Sequence, residues 1–505
     1  MTQSFLGSPD RPRTAGSVVR SRRGGIAVAF AVGATAFLGM AALATEGGVW
    51  FAARRNAQTA ADLAAYAGVA QLAWKGSDTA GQTAAISVGA SVAATNSFAT
   101  EVDPQTGAAG RTTVTVTPGL WAAGAFTAST SNPNAVQVTI AQTQRLGLAA
   151  LISSTAPVVR VRAIAAIRDS SDACILSLVG QTTITGNNTI NAPNCSVNSN
   201  RAGTSIDCGN SAQINVLAFR AVGTVASPCV GLAPITERQI PAADPYVHLQ
   251  GVTLPTFQNN QCQNMRTNGS NPRITVSGGI TTYSPLPYNM NSTGLYTTAT
   301  AVCDDIRIST STDRMVLVPG TYFFYGASLM VTGGTVSCPT CTGGAGVTLV
   351  FTGTGNGNNS IGNIKVTGGS VTLDSPTIGP WYNQTYSRLD PATGNQETTS
   401  IYDGIVIYRD VRASPNNSKQ LDNMNTPNTA QIPGNSDSVN INGGIYLPSS
   451  QIFIAGNAAV STNQSDCQSM VAATIQFTGN SGLSLDGCAA RGTSVVHNRV
   501  LRLVQ

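Results

Sequence analysis

From residue 24 to residue 45 the chain carries no charged side chain; the run begins after Arg23 and ends at Glu46. An apolar stretch of about 20 residues is long enough to cross a bilayer as one helix. A chain crossing once by such a segment has its short N-terminal tail on one side of the membrane and the body that follows on the other. Trp50, Phe51, Arg54 and Arg55 follow, and behind them comes an Ala-rich run, Gln58-Thr59-Ala60-Ala61-Asp62-Leu63-Ala64-Ala65-Tyr66-Ala67-Gly68. These small residues suit a helix that continues out of the membrane.

Five arginines precede the apolar run (Arg11, Arg13, Arg20, Arg22 and Arg23) against a single Asp10. Basic residues before a first span hold that side in the cytoplasm. The body of the protein, from Glu46 onward, is therefore expected outside the inner membrane. Ala42-Leu43-Ala44 has the form of a signal-peptidase site, so cleavage after Ala44 is the alternative. Secretory apolar regions run about 7–15 residues, and the greater length here favours a retained anchor. Ser21-Arg22-Arg23 hints at a twin-arginine signal, but Gly24 and Gly25 stand where a bulkier apolar residue is wanted. Gly25 and Gly39 are candidates for close helix approach within lipid. Glu46, at the outer edge, is either an assembly residue or a hydrated interfacial carboxylate.

Gly24-Gly25-Ile26-Ala27-Val28-Ala29-Phe30, Leu38-Gly39-Met40-Ala41, Glu46 and the run from Gln58 to Gly68 resemble the N-terminal module of TadG-like proteins of the Flp (tight-adherence) pilus system. That family pairs an apolar helix and an acidic residue with a Gln-x-Ala-Ala-Asp-x-Ala-Ala-x-Ala-Gly run. Glu46 stands where Asp is commoner and Tyr66 where Leu is commoner. The resemblance covers roughly residues 20–70. It implies an inner-membrane-anchored envelope protein associated with pilus assembly, with Gln58, Ala61 and Asp62 as assembly candidates. Many TadG-like proteins also carry a von Willebrand A-type domain, whose metal site needs Asp-x-Ser-x-Ser. The nearest match, Asp169-Ser170-Ser171-Asp172-Ala173, ends on Ala173, so this chain looks like the branch without that site.

Charged residues make up 10% of the 505, and the formal charge is +5 with five arginines in the tail. The exported part is near neutral and lacks the clustered basic face of a nucleic-acid binder. The ten cysteines (Cys174, Cys195, Cys208, Cys229, Cys262, Cys303, Cys338, Cys341, Cys467 and Cys488) all lie beyond the span. An even count in an exported domain favours disulfides.

The expected organisation is a basic cytoplasmic tail (1–23), a transmembrane helix (24–45), its extracytoplasmic extension (46–72), a small α+β pilin-like module (73–170) and a Gly/Asn/Thr-rich β domain (171–505). In the module, residues 78–98 suit a helix with Asp78 near its N-terminus, and 112–117, 135–140 and 158–164 alternate as strands do. From Cys174 onward short strands recur (182–187, 329–334, 347–353, 364–373, 439–447, 474–480), ended or interrupted by Gly or Asn. Recurrent strand-turn units predict a disulfide-stapled β-solenoid or parallel β-helix, with a β-sandwich as the runner-up. The intervals Cys174–Cys195, Cys208–Cys229 and Cys467–Cys488 are each 21 residues. One coil returns the chain above itself at about 4.8 Å, within the Cα range of a disulfide. These pairs are expected as rung-to-rung staples, with Cys262–Cys303 a wider loop. Cys338-Pro339-Thr340-Cys341 lies in a β-rich loop without the helix that activates a redox pair, and reads as a loop disulfide.

No enzyme is expected, and no cofactor or metal. His248 and His497 are far apart in sequence, and neither a nucleophile elbow nor a P-loop occurs. Asp304, Asp305, Asp374, Asp403 and Asp410 keep a glycan-active β-helix enzyme open as the least favoured reading. Neighbouring strand residues point to opposite faces, so Asp304 and Asp305 share a ligand only on a turn. The preferred reading is an accessory or structural component of Flp-type pilus assembly. Its expected partners are the inner membrane and proteins of the pilus apparatus. The alternative is a β-helix module that binds cell-wall polysaccharide or a protein partner, with Pro380-Trp381-Tyr382 and Tyr386 as stacking candidates.

Overall fold

The structure, a computed structural model, describes residues 22–504, apart from 103–109, 152–153, 210–211, 264, 266–272, 289–299, 356–359, 378–383, 390–395, 417–418, 420–428, 432–437, 457–458, 461–466, 480–481, 485–487 and 489–491. The basic tail up to residue 21 and the Pro380-Trp381-Tyr382 loop lie outside the described residues. The chain divides into two compact units, one comprising residues up to Ala166 with Leu503–Gln505, the other Ile167–Arg502.

The first unit is built on α1 (Arg22–Lys75), a single helix of 54 residues. The charge-free run and the Ala-rich run lack proline, and Ala is the best helix former, so nothing breaks it before Gly76, whose φ is +95°. Its apolar first part is bare: Phe30, Phe37 and Met40 are 77%, 74% and 61% exposed. A helix this long and apolar is a candidate single membrane span.

A short turn leads to α2 (Thr79–Thr95), started by Asp78, whose carboxylate accepts the Gly81 amide at 2.8 Å. That bond satisfies one of the orphan donors at a helix N-terminus. Three strands follow as an antiparallel sheet: β1 (Thr112–Ala122), β3 (Ala135–Thr143) and the first part of β4 (Val158–Ser177), with β2 (Ala125–Ala128) folding back on β1. Val136, Val138 and Ile140 alternate inward and are fully buried. From Ala57 onward α1 packs with α2 and this sheet in one unit. The chain returns to this body after the second unit: the Val504 amide donates to Ile164 O at 2.9 Å, and Val504 packs on Ala135, Ile164 and Ala166.

The second unit is a parallel β-solenoid with three strands per coil. Its first coil is 175–177, 182–184 and 189–192; the next is 196–199, 204–208 and 213–216. The sandwich alternative is excluded by this pairing: among the described residues of the unit, named strands pair in parallel apart from two hairpins, Ile274–Ser277 with Ile280–Tyr283 and Thr385–Leu389 with Gln396–Ser400. Each face contributes one inward column of apolar side chains. Tyr322, Leu349, Ile407, Ile445, Met470, Ile175, Val197 and Phe219 stack in register on one face. Met315, Val336, Val371 and Val439 do so on another, as do Ile190 and Ile214.

Chain order and stacking order differ. After the coil at 219–236 the chain crosses back over the first face and winds up again from Cys262. The late coil 468–484 pairs in parallel with the entry coil: Met470 lies opposite Ile175, Ile475 opposite Thr182 and Leu483 opposite Ile190. The returning segment buries Tyr246, Leu249 and Phe257 against outward side chains of that face, among them Phe323, Tyr408 and Tyr446. A strand covered on both sides reads as a continuous apolar run, which is why Gly320–Tyr325, Val347–Thr352 and Ile405–Arg409 contain little polar alternation.

Glycines mark one corner of the coil. Gly334 and Gly369 have φ of +65° and +75° and stack one above the other. A Cβ on Gly369 would lie 2.5 Å from Gly334 O. The recurrence Val-Thr-Gly-Gly at 331–334 and 366–369 is therefore dictated by coil-on-coil contact.

Five disulfides staple this unit: Cys174–Cys195, Cys208–Cys229, Cys262–Cys303, Cys338–Cys341 and Cys467–Cys488, with Cα separations of 5.7, 5.1, 5.5, 5.4 and 4.3 Å. The first joins neighbouring coils beside the Ile175–Val197 pair. Cys338–Cys341 closes a turn in which the Cys341 amide donates to Cys338 O at 3.1 Å.

Candidate functional site

The Ala-rich run of α1 is where most of the sequence signal meets structure. Ala57, Ala60, Ala61, Ala64, Ala65 and Val69 are all at most 1% exposed. Two helices and a sheet meet here, and only small side chains fit. A Cβ on Gly68 would stand 3.2 Å from Ala85 O and 3.1 Å from Val136 Cγ1. A Cβ on Gly89 would stand 3.3 Å from Ala64 O and 3.1 Å from Val116 Cγ1. The glycines let α1 and α2 approach each other while both rest on β1 and β3. Ala61 is thus a packing residue of the unit's own core.

Gln58 and Asp62 are one turn apart on α1. Gln58 Nε2 donates to Asp62 Oδ1 at 2.8 Å and to Arg162 O of β4 at 3.2 Å. The pair joins the helix to the sheet and fixes the direction of the amide. Glu46, the first charged residue after the apolar run, turns back to the connection between β3 and β4: its Oε1 accepts the Ala149 amide at 2.7 Å. Gly39 has nothing within 4 Å of the position a Cβ would take, and Gly25 lies on the same helix near its start. Of the residues singled out by sequence, Gln58, Ala61 and Asp62 share one packed region, Glu46 sits more than two turns before it, and Gly25 and Gly39 sit apart on the apolar run.

The acidic residues of the second unit are dispersed into separate structural tasks. Asp304 and Asp305 lie on the turn between Ala301–Val302 and Ile306–Ile308. Asp305 Oδ1 accepts the Ser328 amide at 2.8 Å and Lys419 Nζ at 2.7 Å, whereas Asp304 Oδ2 faces the Met265 amide at 3.4 Å. Asp374 accepts Asn442 Nδ2 at 2.8 Å. Asp403, buried, accepts the Ser400 amide at 3.0 Å and the Thr399 hydroxyl. Asp410, also buried, accepts Thr352 Oγ1 at 2.6 Å and pairs with Arg412 at 2.6 Å. These contacts hold turns and neighbouring coils, and they gather no two carboxylates around a common ligand. Among the described residues no group of three His, Cys, Asp or Glu is placed to hold a metal ion.

The histidines are likewise separate. His248 stacks on Tyr386 with ring centroids 3.7 Å apart, and its Nε2 lies 3.0 Å from Ile401 O. One face of Tyr386 is therefore already covered. His497 Nδ1 lies 2.9 Å from Asp172 Oδ1. The hydrogen bond to Asp172 raises the imidazole pKa above its ordinary value, with burial opposing and the charges of Asp172 and Asp169 adding to it. Asp172 ends the Asp169–Asp172 stretch and belongs to a polar cluster at the entry coil. In it Asn498 Nδ2 donates to Ser171 Oγ at 2.9 Å and Ser196 Oγ at 2.7 Å.

Sequence reasoning missed Arg409, the largest fully buried side chain among the described residues. Its Nε donates to Gly362 O at 2.9 Å and its Nη1 to Ser450 Oγ at 2.7 Å, tying a coil to both neighbours. Burial lowers its pKa to about 9, against the raising charge of Asp410. An arginine inside the apolar run Ile405–Arg409 is the signal that marks it.

Comparison with known proteins bears on the first unit. The family described as "Putative Flp pilus-assembly TadE/G-like" matches residues 24–71. No curated protein matches the chain. Among solved structures, the competence-associated pilin ComZ from Thermus thermophilus is matched at 11% identity and a TM-score of 0.21, over 79% of this chain and 90% of that one. The family match begins at the first residue of the charge-free run and ends at residue 71 of α1, so this stretch is similar to a TadE/G-like domain.

Proposed function

We propose that this protein is a non-catalytic accessory component of Flp-type pilus assembly, held in the inner membrane by α1 with its N-terminus in the cytoplasm and both units outside. The observation that carries this reading is the unbroken course of α1. One helix runs from the apolar stretch through the TadE/G motif into the core of a folded unit. A helix packed in this way transmits its position in the membrane directly to the unit it organises. Five disulfides support an oxidising compartment for the second unit. The basic residues before the run support the cytoplasmic N-terminus. Gly39, with open space beside it, offers a second helix a close approach in lipid.

The test is deletion of the gene in its own host, with surface filaments counted by electron microscopy. Loss of filaments, restored by the intact gene, is expected. Wild-type filament numbers in the deletion strain would contradict the reading.

A further inference from the structure

The connection between β3 and β4, residues 144–157, is long for a strand-to-strand link, since hairpin loops usually take about 2–5 residues. Its centre reads Arg145-Leu146-Gly147-Leu148-Ala149-Ala150-Leu151-Ile152. Four large aliphatic residues in eight is an unfavourable composition for a water-facing loop. Leu148–Leu151 forms a 3-10 turn. Ala150 is exposed and Leu146 only half-buried.

The position of this turn along α1 is fixed. The Ala149 amide donates to Glu46 Oε1 at 2.7 Å, and a Cβ on Gly147 would lie 3.0 Å from the same oxygen. Glu46 is the residue at which the charge-free run ends, so the turn lies level with the boundary between hydrocarbon and headgroups. Trp50, partly buried, and the exposed Arg54 and Arg55 follow on the helix, and exposed Arg145 opens the loop. Tryptophan and arginine at this depth are the usual interfacial anchors.

We propose that the turn at residues 146–151 is a second membrane contact, dipping into the headgroup region beside the exit of α1. A partner at this depth is a lipid surface, because the loop adjoins the span, is rich in aliphatic residues in sequence, exposes Ala150 and opens on the exposed Arg145. Two contacts fix an angle that a single helix leaves free, so the loop sets the tilt of the first unit on the bilayer. Glu46 is the positioning residue, holding the turn to the helix. This inference rests on α1 spanning the membrane.

The test uses the full chain in proteoliposomes, with p-benzoylphenylalanine incorporated at one position at a time and lipid adducts read by mass spectrometry. Position Ala150 is the probe and position Phe37, in the apolar run, reports the span. Position Thr127 on β2 is the water-side control, since β1 pairs with β3 so that 120–128 lie at the other end of the sheet. Adducts at Ala150 approaching those at Phe37, and severalfold above Thr127, are expected. Glu46→Ala should lower the yield at Ala150 and leave Phe37 unchanged. Adducts at Phe37 with only the Thr127 level at Ala150 would overturn the loop contact. Absence at both Ala150 and Phe37 would overturn the span itself.

Discussion

Single side chains decide this fold where backbones approach most closely. At Gly369 a methyl group meets the carbonyl of the coil below, and φ is positive besides. Gly369→Ala should therefore cost roughly 1–3 kcal/mol through strained backbone, read as a lower denaturation midpoint of the solenoid. Gly278, whose φ is +58° but which has open space around it, should be less sensitive to the same change. At His497 the sign of the pH dependence follows from its raised pKa. The folded state holds the proton more tightly than the unfolded chain, whose value is near the ordinary 6.5. The Asp172 pair thus stabilises fully below that value, and the contribution fades as pH rises through the folded pKa. The pair is half-exposed, so the effect is small. It should appear as a decline in Tm as pH rises above 6.5 that His497→Gln removes.

At the scale of elements, the two units are held by opposite means. The first relies on small residues: α1 and α2 touch at Gly68 and Gly89, and Gly89→Val should overpack against Ala64 and Val116 at a cost of about 1–3 kcal/mol, checked by thermal melting of the intact protein. The second relies on stacked apolar columns and staples. Replacing Cys174 and Cys195 together with Ala should cost about 2–5 kcal/mol, measured as the loss in unfolding free energy.

Much of this was legible in the chain. Asp78 before an Ala/Val run announced α2, and alternation at 112–117, 135–140 and 158–164 announced the small sheet. Short strands broken by Gly and Asn announced coils. What the sequence concealed has a physical cause. The Ala-rich run reads as a plain helical extension with Gln58, Ala61 and Asp62 as assembly candidates, because small residues do not announce that α2 and the sheet of the same unit pack on them. The acidic residues kept a least-favoured enzyme reading open, because a turn-capping carboxylate and a catalytic one are the same group until their neighbours are known.

For the whole molecule, the decisive feature is the order in which the coils stack. The coil at 468–484 completes the solenoid by pairing with the entry coil at 175–192, across nearly the whole length of the unit. No local pattern announces this, since parallel coils are interchangeable in sequence and their neighbours are chosen by the full register. Non-local pairing of this kind is slow to form. A chain ending at residue 466 should leave Ile175, Thr182 and Ile190 without their partners. It should be degraded or trapped by chaperones during export, visible as lost protease resistance of the solenoid. Val504 also returns to the first unit, bonded to Ile164, so that unit depends on residues that follow the solenoid.

The central claim is that α1 unites membrane anchor and folded pilus-assembly module in one continuous helix. It is tested most directly by complementation of a deletion strain with a chain in which residues 1–45 are replaced by a cleavable signal peptide, so that the same units are exported without the span. The account predicts stable, disulfide-bonded protein in the extracytoplasmic compartment and no recovery of surface filaments. Full recovery of filaments by the released protein would contradict it.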